Sequence, residues 1–137
     1  MKKINNLLFF IFLFFFVLAN QSFVANASSF DDKISKIQGE ISNDEVKEAT
    51  RSLKKIKIRS ESEQDRINLL FGDIYLKINQ PTKAIEFYEK SYITTNEKIE
   101  SLANLGLAEA YLLQGKLKES INYVEQSLSA NPDSTRA

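Results

Sequence analysis

The residues of this chain that could do chemistry are carboxylates, hydroxyls and amines, because its 137 residues include no histidine and no cysteine. That absence removes the usual general base near neutral pH, the thiol nucleophile and the soft metal ligands. Asp, Glu and Ser remain, but no glycine-rich phosphate loop and no G-x-S-x-G elbow organises them. Neither catalysis nor a cofactor or metal site is expected. Tyr75, Tyr88 and Tyr111 could form an aromatic grip on a ligand, yet aromatic residues at helical spacing usually face a core, and they are read as packing. Arg51, Lys54, Lys55, Lys57 and Arg59 form a basic cluster, read as the solvated end of a helix whose dipole favours cations there.

The first 27 residues carry a separate message. Met1-Lys2-Lys3 is a short basic start, residues 7–19 are thirteen apolar residues without interruption, and Ala25-Asn26-Ala27 has the small-x-small form of a cleavage site. The run is too short for a membrane-spanning helix, which needs about 20 apolar residues, so a signal peptide of residues 1–27 is expected, cleaved before Ser28. Membrane contact is then expected only through that segment before cleavage. Lacking cysteine, the exported chain would have neither a lipidated cleavage site nor disulfides, and must be held by packing alone. The full chain balances 18 basic against 18 acidic residues; without Lys2 and Lys3 the net charge is −2, which gives no support to nucleic-acid binding.

The remainder reads as helix throughout. Ile34, Ile37 and Ile41 recur at spacings of three and four, predicting a helix over 33–41. Ser42 and Glu45 suggest a capping box opening a second helix over 44–59, with Val46, Ala49, Leu53 and Ile56 as its apolar stripe. Ser62 and Asp65 suggest a further cap, followed by helices over about 63–78, 81–94, 98–114 and 117–130. Turns are expected at Asn79-Gln80-Pro81 and Gln114-Gly115.

Residues 101–134 resemble the tetratricopeptide repeat position by position. Leu107-Ala108 take its Leu-Gly pair, Tyr111 its Tyr three residues on, Gly115 its turn and Pro132 its closing proline, while Ser120 and Val124 stand where Ala and an aromatic are usual. A second copy over 65–98 has Phe71-Gly72, Tyr75, Ala84 and Tyr88 at these places, with Asn79 for the turn glycine and Asn96 for the proline. Tyr75 and Tyr111 are 36 residues apart, the repeat of 34 plus two residues placed near Ile99 and Glu100. The resemblance implies an all-α fold of antiparallel helix-turn-helix repeats stacked as a short right-handed α-solenoid. Because such stacks need about three units for stability, residues 28–62 are read as a degenerate repeat or cap, with Ala49 at the small crossing position and Leu53 at the aromatic one. Residues 135–137 are a tail or a truncation point, and Ile121, Val124 and Leu128 on the last helix would present an apolar face open to a neighbour or to self-association through that C-terminal helix.

The resemblance also implies the function. These repeats hold proteins or peptides along the concave wall of successive first helices. Carried over singly, the wall positions are Arg66, Leu69, Asp73, Leu76 and Lys77 on the upstream helix and Leu102, Leu105, Glu109 and Leu112 on the downstream one. Leu69 and Leu105 stand at the Lys-type position, and Asp73 and Glu109 at the Asn-type position, of the clamp that some chaperone adaptors use for a C-terminal carboxylate, so that role is disfavoured. A leucine-rich wall with two carboxylates suits an apolar, basic peptide or helix, unless the chain's own N-terminal helix packs there. Reversing Asp73 and Glu109 to Lys is expected to weaken such a partner without unfolding the domain. The expectation is an exported non-enzymatic scaffold, periplasmic or secreted from a bacterium, serving envelope assembly or secretion; the alternative is the N-terminal repeats of a larger exported protein.

Overall fold

The computed structural model describes residues 29–92 and 96–130. The expected signal peptide, the closing Pro132 and the tail lie outside the described residues. The described residues form six helices and no strand: α1 over residues 29–42, α2 Val46–Lys54, α3 Glu61–Lys77, α4 Pro81–Tyr92, α5 Glu97–Leu113 and α6 Leu117–Ala130. By compactness the chain divides into residues 1–36 and 37–137, and α1 runs across that boundary. In the first unit Phe30 and Ile34 are buried.

In the second unit the pairs α3–α4 and α5–α6 make the broadest contacts. α4 packs nearly as closely on α5, and α3 meets α5 and α2 over smaller areas. From α2 to α6 each helix thus touches the next, the stacking of an all-α solenoid.

Helix starts are set by local side-chain chemistry, and two differ from expectation. Ser42 does not cap α2: it is the last residue of α1, and its hydroxyl donates to the Gln38 carbonyl at 2.9 Å. A hydroxyl bonded back into its own helix cannot cap the next one, and Glu45 at the N-cap of α2 makes no side-chain bond. The cap of α3 lies two residues before the expected Ser62: Ser60 Oγ accepts from Glu63 N at 3.2 Å, and Glu63 Oε2 reaches back past the cap to accept from Arg59 N at 2.7 Å, a variant of the capping box. For α5, Asn96 Oδ1 accepts from both Lys98 N and Ile99 N.

α2 also stops at Lys54 rather than at residue 59. Continuing it would place Arg51 against Lys55 and Lys55 against Arg59 at the i, i+4 spacing that brings like charges together. Only Arg51 and Lys54 of the basic cluster sit in the last helical turn; Lys55, Lys57 and Arg59 are exposed beyond it.

The three hairpins close alike. Asp44, Asn79 and Gly115 adopt φ of 62°, 54° and 73°, the left-handed region open to Gly, Asn and Asp. At each, the turn residue's N–H bonds the carbonyl three residues back, and the following N–H bonds the carbonyl five back: Glu45 to Glu40, Gln80 to Tyr75 and Lys116 to Tyr111, at 2.8–2.9 Å. These bonds satisfy carbonyls that a helix end leaves open.

The core is built around Tyr88. It shares one cluster with Leu69, Ala84, Ile99, Ala103, Leu107 and Ala110, and is only 1% exposed. Its ring is held between the backbones of Gly72 on α3 and Gly106 on α5, where any Cβ would overlap the ring carbons. The expected small crossing residues Ala84 and Ala108 are buried, as are Ala49 and Leu53 on α2.

Candidate functional site

A groove of about 940 Å³ opens on the second unit. One wall comes from α3, through Asp73, Leu76 and Lys77, and continues into the turn at Asn79. The facing wall comes from Glu109 and Leu113 of α5, and the last residues of α1, Gln38, Ile41 and Ser42, close one end. Asp73, Leu76 and Lys77 share a face because residues three and four apart on a helix are neighbours, and the packing of α3 against α5 brings Glu109 opposite.

Asp73 is the unusual group. Its Oδ1 accepts a hydrogen bond from the Tyr88 hydroxyl at 2.7 Å. Burial raises its pKa above the ordinary 3.8; the Tyr88 bond opposes that rise, and the Glu109 charge adds to it. The Tyr88 hydroxyl is itself held far above its ordinary 10.0, first by burial and then by Asp73, so it remains a donor. Two acids facing one partly dry groove repel each other, and a cation arriving there would relieve both the repulsion and the lost solvation of Asp73.

Lys77 does not serve as that cation. Its Nζ lies 2.9 Å from Asp44 Oδ1 in the α1–α2 turn, a largely exposed pair of the kind worth about 0–1 kcal/mol. Its effect is to tie the groove's rim to the first hairpin.

Of the nine wall residues, Asp73, Leu76, Lys77 and Glu109 line the groove. Leu69 is buried in the Tyr88 cluster, Arg66 and Leu105 are half-buried, and Leu102 and Leu112 are exposed without lining the groove. Gln38, Ile41, Ser42, Asn79 and Leu113 belong to it although sequence reasoning did not place them there. For Gln38, Ile41 and Ser42 this depends on where the first hairpin lies against α3, which no spacing within one repeat encodes. Asp73 is half-buried and bonded to Tyr88, so a Lys at this place would set an ammonium against the Tyr88 hydroxyl in place of that bond. Gly106 was overlooked as well, although an isolated glycine inside a helical pattern is itself a sign of close packing.

Among the described residues no group of three or more acidic side chains could hold a metal ion, and no helix is long and apolar enough to cross a membrane.

The tetratricopeptide repeat family model matches residues 65–92 and 101–134, that is, α3–α4 and α5–α6. With the stacked hairpins this supports reading the chain as a tetratricopeptide-repeat protein, a class of non-enzymatic folds that generally mediate contacts between proteins. Comparison with curated proteins and with solved structures gives no significant match.

Proposed function

We propose that this chain is a non-enzymatic scaffold, exported by a bacterium, that holds a protein or peptide segment carrying a basic group in the groove between α3 and α5. The observation that carries the reading is the pairing of Asp73 and Glu109 in a groove walled by Leu76, Ile41 and Leu113. Apolar side chains give such a segment somewhere to bury its aliphatic residues, and the two carboxylates select a Lys or Arg beside them. Service in envelope assembly or secretion belongs to the same reading, motivated by the basic start, apolar run and Ala25-Asn26-Ala27 of the leader. So does a role for α1–α2 as a degenerate first repeat, motivated by the turn bonds at Asp44 that match those at Asn79 and Gly115.

Binding is tested with a short leucine- and arginine-containing peptide by calorimetry. The expected result is affinity that falls with added salt, drops on Glu109→Gln and drops again on Asp73→Asn. Binding that ignores salt and both substitutions would overturn the groove assignment. Export is tested separately, by mass spectrometry of the product recovered from the cell envelope, which should begin at Ser28; a chain retaining Met1 would overturn it.

A further inference from the structure

The outer face of α6 carries a second surface, independent of the groove. Leu117, Ile121, Val124 and Leu128 are 60%, 51%, 38% and 47% exposed, large apolar side chains left in water along one stripe. The adjoining side of α6 is polar where it meets α5: Ser101 and Ser127 share a hydroxyl hydrogen bond at 2.9 Å, Ser127 also donates to the Ser101 carbonyl at 2.9 Å, and Ser120 is buried nearby. The contact with α5 is thus made by small hydroxyl residues and Tyr123, while the large aliphatic residues of the stripe stay in water.

The order of that stripe says what covers it. Its spacings are four, three and four, the seam of a coiled coil, and they read the same in both directions. Two copies of α6 related by a two-fold axis and running antiparallel would set Leu117 against the partner's Leu128 and Ile121 against the partner's Val124, with no apolar residue left over. The free flank of the stripe carries Lys118 and Glu125, both exposed. In an antiparallel pair this flank meets its own counterpart, so Lys118 of each copy meets Glu125 of the other, twice by symmetry. A parallel pair would bring neither residue to a partner of opposite sign. We propose that this chain forms a homodimer through antiparallel packing of α6 on α6, an isologous interface that leaves the groove of each copy open.

The chain has no cysteine, so introduced thiols report cleanly in the full chain. Leu117→Cys and Leu128→Cys, mixed and oxidised, should give a disulfide-linked dimer between the two variants. Neither should cross-link to itself, because identical positions lie about 16 Å apart along the axis, eleven residues at 1.5 Å each. Cross-linking of each variant to itself without the mixed product would mean parallel pairing and overturn the proposal. In sedimentation, Lys118→Glu or Glu125→Lys should each weaken the dimer about tenfold, as two modest attractions become repulsions, and the double exchange should restore it. Ile121→Ser should leave a helical monomer. A wild-type chain that stays monomeric at high concentration, or a dimer indifferent to all these changes, would overturn it, the stripe then being a seat for another helix.

Discussion

Tyr88 and Val124 occupy the same place in two successive repeats, 36 residues apart, and meet opposite fates. Tyr88 is buried to 1% exposure, gripped by Gly72 and Gly106 and anchored to Asp73, whereas Val124 is 38% exposed. Their helices are alike and their turns close with the same bonds. What differs is the next layer: α5 lies over α4, and among the described residues no helix lies over α6. The internal packing follows suit. The α3–α4 hairpin stacks Phe71, Phe87 and Tyr75 at 5.1–5.3 Å, while α5–α6 keeps one such pair, Tyr111 on Tyr123, and fills the rest with Ser101, Asn104, Ser120 and Ser127. A repeat position therefore specifies a direction on its helix, and the neighbour decides whether that direction is core.

The comparison breaks most sharply at the aromatic position. Tyr88→Ala should cost about 3–5 kcal/mol through the lost ring and the cavity behind it, and Val124→Ala, at concentrations low enough to keep the chain monomeric, less than about 0.5 kcal/mol, as for an exposed side chain; urea unfolding of both would show whether the asymmetry is energetic as well as geometric. At concentrations where the α6 homodimer forms, the Val124→Ala loss should grow, because the side chain is then covered; no growth would count against the homodimer.

The glycines sharpen the same contrast. Gly106→Ala should destabilise by about 1–3 kcal/mol, since its methyl group must displace the Tyr88 ring. Gly39→Ala, where a Cβ meets nothing within 4 Å, should instead stabilise by about 0.5–1 kcal/mol through helix propensity. Opposite shifts in melting temperature are the expected outcome.

Asn104 is the weak point of the second hairpin. It is fully buried, and neither its amide nitrogen nor its oxygen has a hydrogen-bond partner. Replacing it with Leu, of similar size, should raise stability by about 1 kcal/mol, because an unsatisfied buried amide costs on that order. A loss would show that the amide finds a partner in solution.

The smallest effect concerns pH. The Asp73 carboxyl has a higher pKa folded than unfolded, so the native state binds the proton more tightly, and the stability gained is present at low pH and lost as pH rises from about the ordinary 3.8 through the raised native value. This runs opposite to the usual carboxylate, which accepts an ion pair. Asp73→Asn keeps an acceptor for the Tyr88 hydroxyl and should flatten this part of the profile, measured as denaturant midpoint against pH; an unchanged slope would place the titration elsewhere.

Much of the repeat was legible because its signals are local. The turns at Asn79 and Gly115 follow from residue type, the apolar stripes from their spacing, and the burial of Ala84 and Tyr88 from the match to a known repeat. The capping boxes were harder, since Ser42, Ser60 and Ser62 offer the same hydroxyl and only the backbone course selects Ser60. In the groove, Asp73 and Glu109 could be placed on one wall by register. That Asp73 is bonded to Tyr88, and that Leu69 is core, depends on how deeply α3 sinks against α4 and α5.

By itself the sequence determined the helices, the two matched repeats, the absence of imidazole and thiol chemistry and the apolar stripe on α6, because each is a property of residue type and periodicity along one stretch of chain. Only the tertiary structure decided that Asp44 reaches Lys77, that the end of α1 closes the groove, and that Gly106 receives the Tyr88 ring. Those are meetings between segments tens of residues apart, fixed by the angle and depth at which helices pack, and no spacing within a single helix contains that information.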